Sequence, residues 1–349
     1  MSAGINLDDW GPVHAVPTYH KAAAGDRTAP FGTAEHPLPL IIDSDPGLDD
    51  ALAIGLACAS PEVRLLAVTT VGGNADVARC TDNALRLLHA YGRDDVLVAE
   101  GAAGALLGDV VRATDVHGMS GIGTTQLPPA PNQARPEGAV ALMARLLADS
   151  PEPVAIAPIG PLTNIALLLR IYPHLAPKIA HLCLMGGSIG EGNTTAAAEF
   201  NIVADPEAAD AVFRSGVGIT MIGLDVTHQA LLDRRAAQAL RDLGNASGRI
   251  AAELTDYALD RNLEWSGATT TAIHDAVAIA HLVVPDLVAV ARYHVAVETG
   301  HGPARGRTVC DGVPHRLRRR NLQPNADVGI VIDRGRFERL LLDAYARLP

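Results

Sequence analysis

The chain has 349 residues, 48% of them hydrophobic, and a formal net charge of −11. The apolar content is enough for a sizeable core, and the acidity argues against a nucleic-acid partner, whose phosphates need basic patches. No apolar stretch is long and uninterrupted enough to span a bilayer, so the reading has no membrane partner either.

Residues 1–37 are rich in Ala, Pro, Gly and His, show no hydrophobic periodicity, and read as a loosely ordered arm. They lack the basic segment and apolar core of a secretory signal, and Asp8 and Asp9 argue against a transit peptide. From Leu38 onward β-like runs alternate with helical patterns. The runs are LPLIID (38–43), VRLLAVTTV (63–71), PVAIAPI (153–159), HLCLMGG (181–187) and VGITMIGLDV (217–226). Helical patterns cover Asp49–Ala59, Ala75–Ala90, Gly138–Ala148 and Asn164–Arg170. This alternation predicts one α/β domain over 38–349, Rossmann-like, with a mostly parallel central sheet flanked by helices. The strand-like runs close on DSDPG, GGN, IGPLTN, MGG and LDVTH, and in such sheets ligands bind outside the carboxyl ends of the strands. Cys58, Cys80, Cys183 and Cys310 have no CxxC or zinc-type spacing; three lie in apolar segments and read as small core residues, and a reducing cytoplasm is expected. The one dense basic run, RLRRR (316–320), reads as a solvated loop or an ion-pairing face.

Between the first strand and the first helix, Asp43, Asp45, Asp49 and Asp50 fall within DSDPGLDD. Asp45 suits the cap before Pro46 at the first helical position, and Asp49 and Asp50 suit the positive end of a helix. Capping accounts for one or two carboxylates but not four, because crowded like charges repel unless a cation neutralises them. A hard divalent cation with oxygen ligands resolves the conflict. Successive helical residues point about 100° apart, so one of Asp49 and Asp50 can face the metal while the other faces a ligand. The pattern is not an EF-hand loop: Gly47 comes one place early and no Glu stands at the twelfth position.

Two further segments carry polar groups in unusual places. EGNTTAAAEFN (191–201) offers Asn193, Glu199 and Asn201 to a polyhydroxylated ligand such as a sugar, or else forms a surface loop with helix caps. TTTAIHDAVAIAHLV (269–283) has an apolar helical pattern with His274 and Asp275 inside it. A lone buried histidine is usually a satisfied core residue, but an adjacent His–Asp pair in an apolar helix needs partners.

Taken together and in this order, DSDPGLDDALAI, VTTVGGN, APIGPLTN, LMGG, EGNTTAAAEFN, DPEAA, GLDVTHQA and IHDAVAIA resemble the nucleoside hydrolase family, the inosine-uridine-preferring N-ribohydrolases. The resemblance runs from Leu38 to the C-terminus and leaves out residues 1–37. It implies hydrolysis of the N-glycosidic bond of a small-molecule nucleoside to free base and ribose. It implies a calcium ion (Ca2+) held by Asp45, Asp50, the carbonyl of Ile159 and Asp275, ordering a water and the ribose hydroxyls. Asp45 matches the general base on that water, with Asn74 beside it. Asp49, Met185, Asn193, Glu199 and Asn201 match the ribose-binding set. His274 matches the leaving-group acid, and His117 a supporting position at the mouth of the site. The base-contacting stretch RNLEWSGATTT (261–271) does not match, at their positions, the tyrosine and arginine that some relatives carry, which leaves the preferred base open. A homodimer or homotetramer is also implied.

Two other readings start from the same residues. Asp43-Ser44-Asp45 suggests a haloacid-dehalogenase-like phosphatase, but Gly47 stands where that family has Thr or Val. A nucleoside-binding protein without catalysis would keep the ligand residues and release no free base.

Overall fold

The computed structural model describes residues 30–108 and 111–349. The first half runs β1 (Leu38–Ser44), α1 (Leu48–Ala59), β2 (Val63–Thr70), α2 (Val77–Ala90), β3 (Leu97–Glu100), α3 (Thr114–His117), α4 (Ala139–Asp149), β4 (Val154–Pro158) and α5 (Thr163–Ile171). There follow β5 (Ile179–Met185), α6 (Phe200–Ala204), α7 (Pro206–Phe213), β6 (Ile219–Ile222), α8 (Leu224–Thr227), β7 (Leu231–Leu232), α9 (Arg234–Asp242) and α10 (Ala246–Ser266). The last part is β8 (Thr271–Ala272), α11 (His274–Val283), β9 (Val288–Val297), β10 (Thr308–Asp311), α12 (Pro314–Arg320), β11 (Ala326–Ile332) and α13 (Arg334–Tyr345).

Among the described residues nine strands form one sheet in the order β10-β9-β11-β6-β5-β4-β1-β2-β3. The run from β3 to β11 is parallel, and β9 lies antiparallel to both β11 and β10. Strand order reverses between β1 and β4, where an open α/β sheet leaves its crevice. Helices cover both faces. Strand alternation divides β1 between them: Leu40 and Ile42 join the core under α1, α11 and α13, whereas Ile41 joins the core under α4, α5 and α7.

The expected helices stand within a residue or two of their patterns. Four details differ. VGITMIGLDV ends as a strand at Ile222, and Leu224–Thr227 turns into α8 because Leu224 N–H reaches across to the Gly187 carbonyl (2.9 Å). The 269–283 stretch is helical only from His274, since Thr271–Ala272 pairs with β7; His274 and Asp275 therefore open α11, where its backbone donors favour negative charge. Pro46 lies outside α1. Its N-cap is Gly47, whose N–H donates to Asp50 Oδ2 (2.8 Å), while Asp45 is turned toward Asn74. The RLRRR run lies in helix α12 rather than in a loop, and Arg316 pairs with Asp311 (3.1 Å).

Residues 1–29 of the expected arm lie outside the described residues; of its remainder, Phe31 sets its ring edge-on to His281 at 5.8 Å. No helix among the described residues is long and apolar enough to cross a membrane.

Helix α13 closes the α1 side of the core with Phe337, which is fully buried among leucines and isoleucines. Phe337→Ala should cost about 3–5 kcal/mol, the usual scale for a buried phenylalanine, read as a fall in the urea midpoint. A loss below about 1 kcal/mol would mean that α13 does not hold this core.

Candidate active site

The strand alternation that splits the core also distributes the aspartates. Asp43 follows Ile41 toward α5: its Oδ1 accepts from Thr69 Oγ1 (2.6 Å) and Asn164 Nδ2 (2.9 Å), and its Oδ2 is buried without a hydrogen-bond partner. Ser44 faces α1 and donates to Asp50 Oδ1 (2.6 Å). Asp50 Oδ2 accepts from the Gly47 N–H and from Asn74 Nδ2 (2.9 Å). Asp45, just past the strand, is 1% exposed. Its Oδ2 accepts the Asn74 N–H (2.7 Å), and its Oδ1 is buried with no partner. A side chain at Gly73 would come within 2.1 Å of Asp45 Oδ2, and one at Gly160 within 2.5 Å of Oδ1. The GGN and IGPLTN turns thus need glycine so that two strand ends can close on one carboxylate.

Asp275, on the first turn of α11, joins this group. Oxygens of Asp49, Asp50 and Asp275 lie within 4.8 Å of one another. Among the described residues no Lys or Arg forms a salt bridge with these three or with Asp45. Burial, and then the charges of Asp49, Asp50 and Asp45, holds the Asp275 carboxyl well above the usual range. Burial and the neighbouring Asp50 do the same for Asp45. Burial and Asp49 push Asp50 up to about 6. Converging carboxylates, an orphaned buried Asp45 oxygen and no positive partner fit a hard cation with oxygen ligands. The Ile159 carbonyl, expected among the ligands, accepts Asn201 Nδ2 (2.9 Å).

The 191–201 segment forms the next wall. Glu199 caps α6, as the capping alternative expected, yet it is 2% exposed and faces inward. It accepts from the Asn201, Ile202 and Gly187 N–H groups, and burial pushes it up to about 7. Asn201 Nδ2 also donates to the Met185 carbonyl (3.1 Å). Asn193 Oδ1 accepts the Phe200 N–H (3.0 Å), folding the loop back on itself.

The far wall carries three histidines. His117 Nδ1 accepts the Leu48 N–H (3.1 Å), tying α3 to the start of α1. His274 Nδ1 lies 2.7 Å from Thr227 Oγ1, and its ring meets that of His228 edge-on at 5.6 Å. Burial lowers His274 to about 4 and also lowers His117. All three histidines line a 630 Å³ cleft with Asp49, Asn74, Ile159, Met185, Asn193, Glu199, Asn201 and Asp275. Asp45 and Asp50 lie beneath its floor, joined to it through Asn74. The fold therefore gathers every expected site residue around one cleft.

Sequence reasoning missed several residues here. Arg112 and Thr255 also line the cleft, as do Asn262 and Trp265 from the 261–271 stretch that the resemblance ties to the base. Arg261 stacks over Trp265 at 4.6 Å and donates to the Asp115 carbonyl (3.0 Å), joining α10 to α3. His228 and Thr227 lay inside LDVTH, but nothing local marked them.

The model of the family described as inosine-uridine preferring nucleoside hydrolase matches residues 40–339. A pyrimidine-specific ribonucleoside hydrolase, RihA, of Citrobacter koseri is 44% identical over 311 residues, covering 88% of this chain and 98% of the relative. RihA of Photobacterium profundum is 46% identical over 78% of this chain and 88% of its own length. Among solved structures, a purine-preferring ribonucleoside hydrolase from Gardnerella vaginalis superposes with a TM-score of 0.82 at 34% identity, covering 88% of this chain and 98% of that one.

The acidic floor makes metal-free stability depend on pH. Asp43 and Glu199 titrate near 7 when folded, with burial the first cause, and Asp45 and Asp275 also lie high. A carboxyl raised on folding stabilises the fold while protonated and loses that contribution as pH rises through the folded value. The lowered histidines act in the opposite sense, but only below their ordinary 6.5. From about pH 6.5 to 8, chelated protein should therefore lose stability, seen as a falling denaturant midpoint, and a divalent cation should restore it. A flat profile in chelated protein would mean that the carboxylates carry no such burden.

Proposed function

The chain belongs to the inosine-uridine preferring nucleoside hydrolase family and is a hydrolase of N-glycosyl compounds, and we propose that it splits pyrimidine ribonucleosides into free base and ribose with the help of calcium. The observation that carries this reading is the meeting, in one cleft, of an unneutralised carboxylate floor, a polar loop suited to a sugar and a histidine wall. Identity to the pyrimidine-specific relatives supports the choice of base.

Asp45, Asp50, Asp275 and the Ile159 carbonyl would hold the calcium, with Asp49 at the edge of the same acidic group. Bound there, calcium would position and polarise the attacking water and the ribose hydroxyls. Asp45 takes the proton of that water at Oδ1, the oxygen that no hydrogen bond occupies among the described residues. Asn74 holds Asp45 in place through its backbone N–H and through a side-chain bond to the Asp45 carbonyl (3.1 Å). Asp49, Met185, Asn193, Glu199 and Asn201 bind the ribose. As the glycosidic bond stretches, the sugar becomes cationic and the base anionic. The buried carboxylates favour the sugar cation electrostatically, and His274 donates to the departing base. Free thiols at all four cysteines accord with a cytoplasmic enzyme, and we expect a homodimer or homotetramer.

A panel of uridine, cytidine and inosine, read as released ribose, tests the assignment. The pyrimidine nucleosides should lead in kcat/KM by about 10-fold or more. Inosine in front would reassign the base, and ribose from none of them would leave a binding protein.

Chelation should abolish turnover and calcium should restore it. Asp45→Asn, which keeps the shape and removes the proton affinity, should lower kcat by about 10²-fold or more with a smaller change in KM. Full activity after exhaustive demetallation, or near-normal kcat in the variant, would place the base and the metal elsewhere.

A further inference from the structure

We propose that Thr227 is a positioning residue for His274, its hydroxyl fixing the imidazole so that an Nε2–H faces the cleft. The inference rests on the reading of His274 as the group that meets the departing base. Thr227 is fully buried at the end of α8, and its Oγ1 lies 2.7 Å from His274 Nδ1. Among the described residues that hydroxyl has no other hydrogen-bond partner. A buried hydroxyl whose proton finds no acceptor is costly, so the Thr227 O–H donates its hydrogen bond to Nδ1. In a neutral imidazole one nitrogen accepts and the other donates, so an accepting Nδ1 leaves the hydrogen on Nε2. His274 lines the cleft while its Nδ1 is turned to Thr227, which leaves Nε2 for the ligand side.

The backbone holds this pair at a fixed distance. Leu231 pairs with Ala272 and Leu232 with Thr271, and the Ile273 N–H donates to the Ala230 carbonyl (3.0 Å). The segment that carries Thr227 is thus fastened, just after that residue, to the segment just before His274. Helix α8 is anchored in turn to the sugar-side loop, through the Leu224 N–H to Gly187 and through Asp225, which accepts the N–H groups of Ile189 (2.6 Å) and Gly190 (3.1 Å). One short helix therefore links the wall that would hold the sugar to the imidazole that would meet the base. The His228 ring closes the other flank of His274.

A hydroxyl that acts through His274 should matter only where His274 matters. Thr227→Val and Thr227→Ser would be assayed on uridine and on p-nitrophenyl riboside, whose phenolate leaves without help, alone and combined with His274→Ala. Thr227→Val should lower kcat on uridine by about 10-fold or more, with KM and the nitrophenyl substrate within about threefold. Thr227→Ser should stay within about threefold of the parent, and Thr227→Val should add nothing once His274 is alanine. Equal loss on both substrates, full additivity with His274→Ala, or no loss at all would each overturn the inference. Should His274→Ala leave uridine hydrolysis intact, the underlying reading fails, and that failure is distinct from a slow His274→Ala beside a normal Thr227→Val. Nitrogen-15 spectra of the His274 ring in the parent protein give a check that no substitution can confound: Nε2–H supports the proposal and Nδ1–H overturns it.

Discussion

The rest of the site is organised around a charge that the fold leaves unbalanced. Asp45, Asp50 and Asp275 are each less than 5% exposed, Asp49 stands beside them, and no salt bridge reaches any of the four among the described residues. Burying even one ionised carboxylate without a partner is expensive, and clustering several multiplies the cost. Part of the burden is met by backbone N–H groups, Asn74 and the Ser44 hydroxyl, which satisfy Asp45 Oδ2 and Asp50 but leave Asp45 Oδ1 bare. The remainder explains why the carboxyls are held so far above their ordinary range. It also defines what the floor can accept, which is positive charge.

The parallel sheet makes this arrangement possible. Ends of β1, β2 and β4 lie side by side where strand order reverses, and glycines at 73 and 160 let their turns close on Asp45. Alternation along β1 then sorts the acids. Asp43 is sent to the opposite face, where Thr69 and Asn164 hold it, and it braces the turn from below. The four aspartates of DSDPGLDD therefore do two jobs. One supports the joint between β1 and α5, and three serve the cleft.

Much of this was legible in the sequence because it is local. The β1–α1 junction, the parallel core and the polar loop at 191–201 each follow from a period or a cluster within about a dozen residues. The parallel strand β11 and the antiparallel extension through β9 and β10 are not marked in the sequence, since these strands alternate weakly and carry exposed apolar residues such as Val309 and Val331. The start of α11 was misplaced because the two-residue β7–β8 pairing that sets it is a tertiary contact. Partnerships across the chain were invisible for the same reason. Asn164 meets Asp43 from 121 positions away, and Thr227 meets His274 from 47. A threonine or an asparagine carries no mark of its role until the partner is in place.

The two sides of the cleft are held in different ways, and this bears on what can vary. The acidic floor is built where the end of β1 meets the first turns of α1 and α11, with its glycines fixed at the ends of β2 and β4. The wall beyond His274 is built from the end of α10 and the turn after it, where Trp265 is 50% exposed and Arg261 makes the link to α3. Substitution at the floor disturbs charges that cannot be satisfied otherwise, whereas substitution at the end of α10 changes a half-open surface. A change at the floor is therefore costlier to the fold than a change at the end of α10. The cleft of this chain thus joins a buried, fixed acidic side to a half-open side at the end of α10.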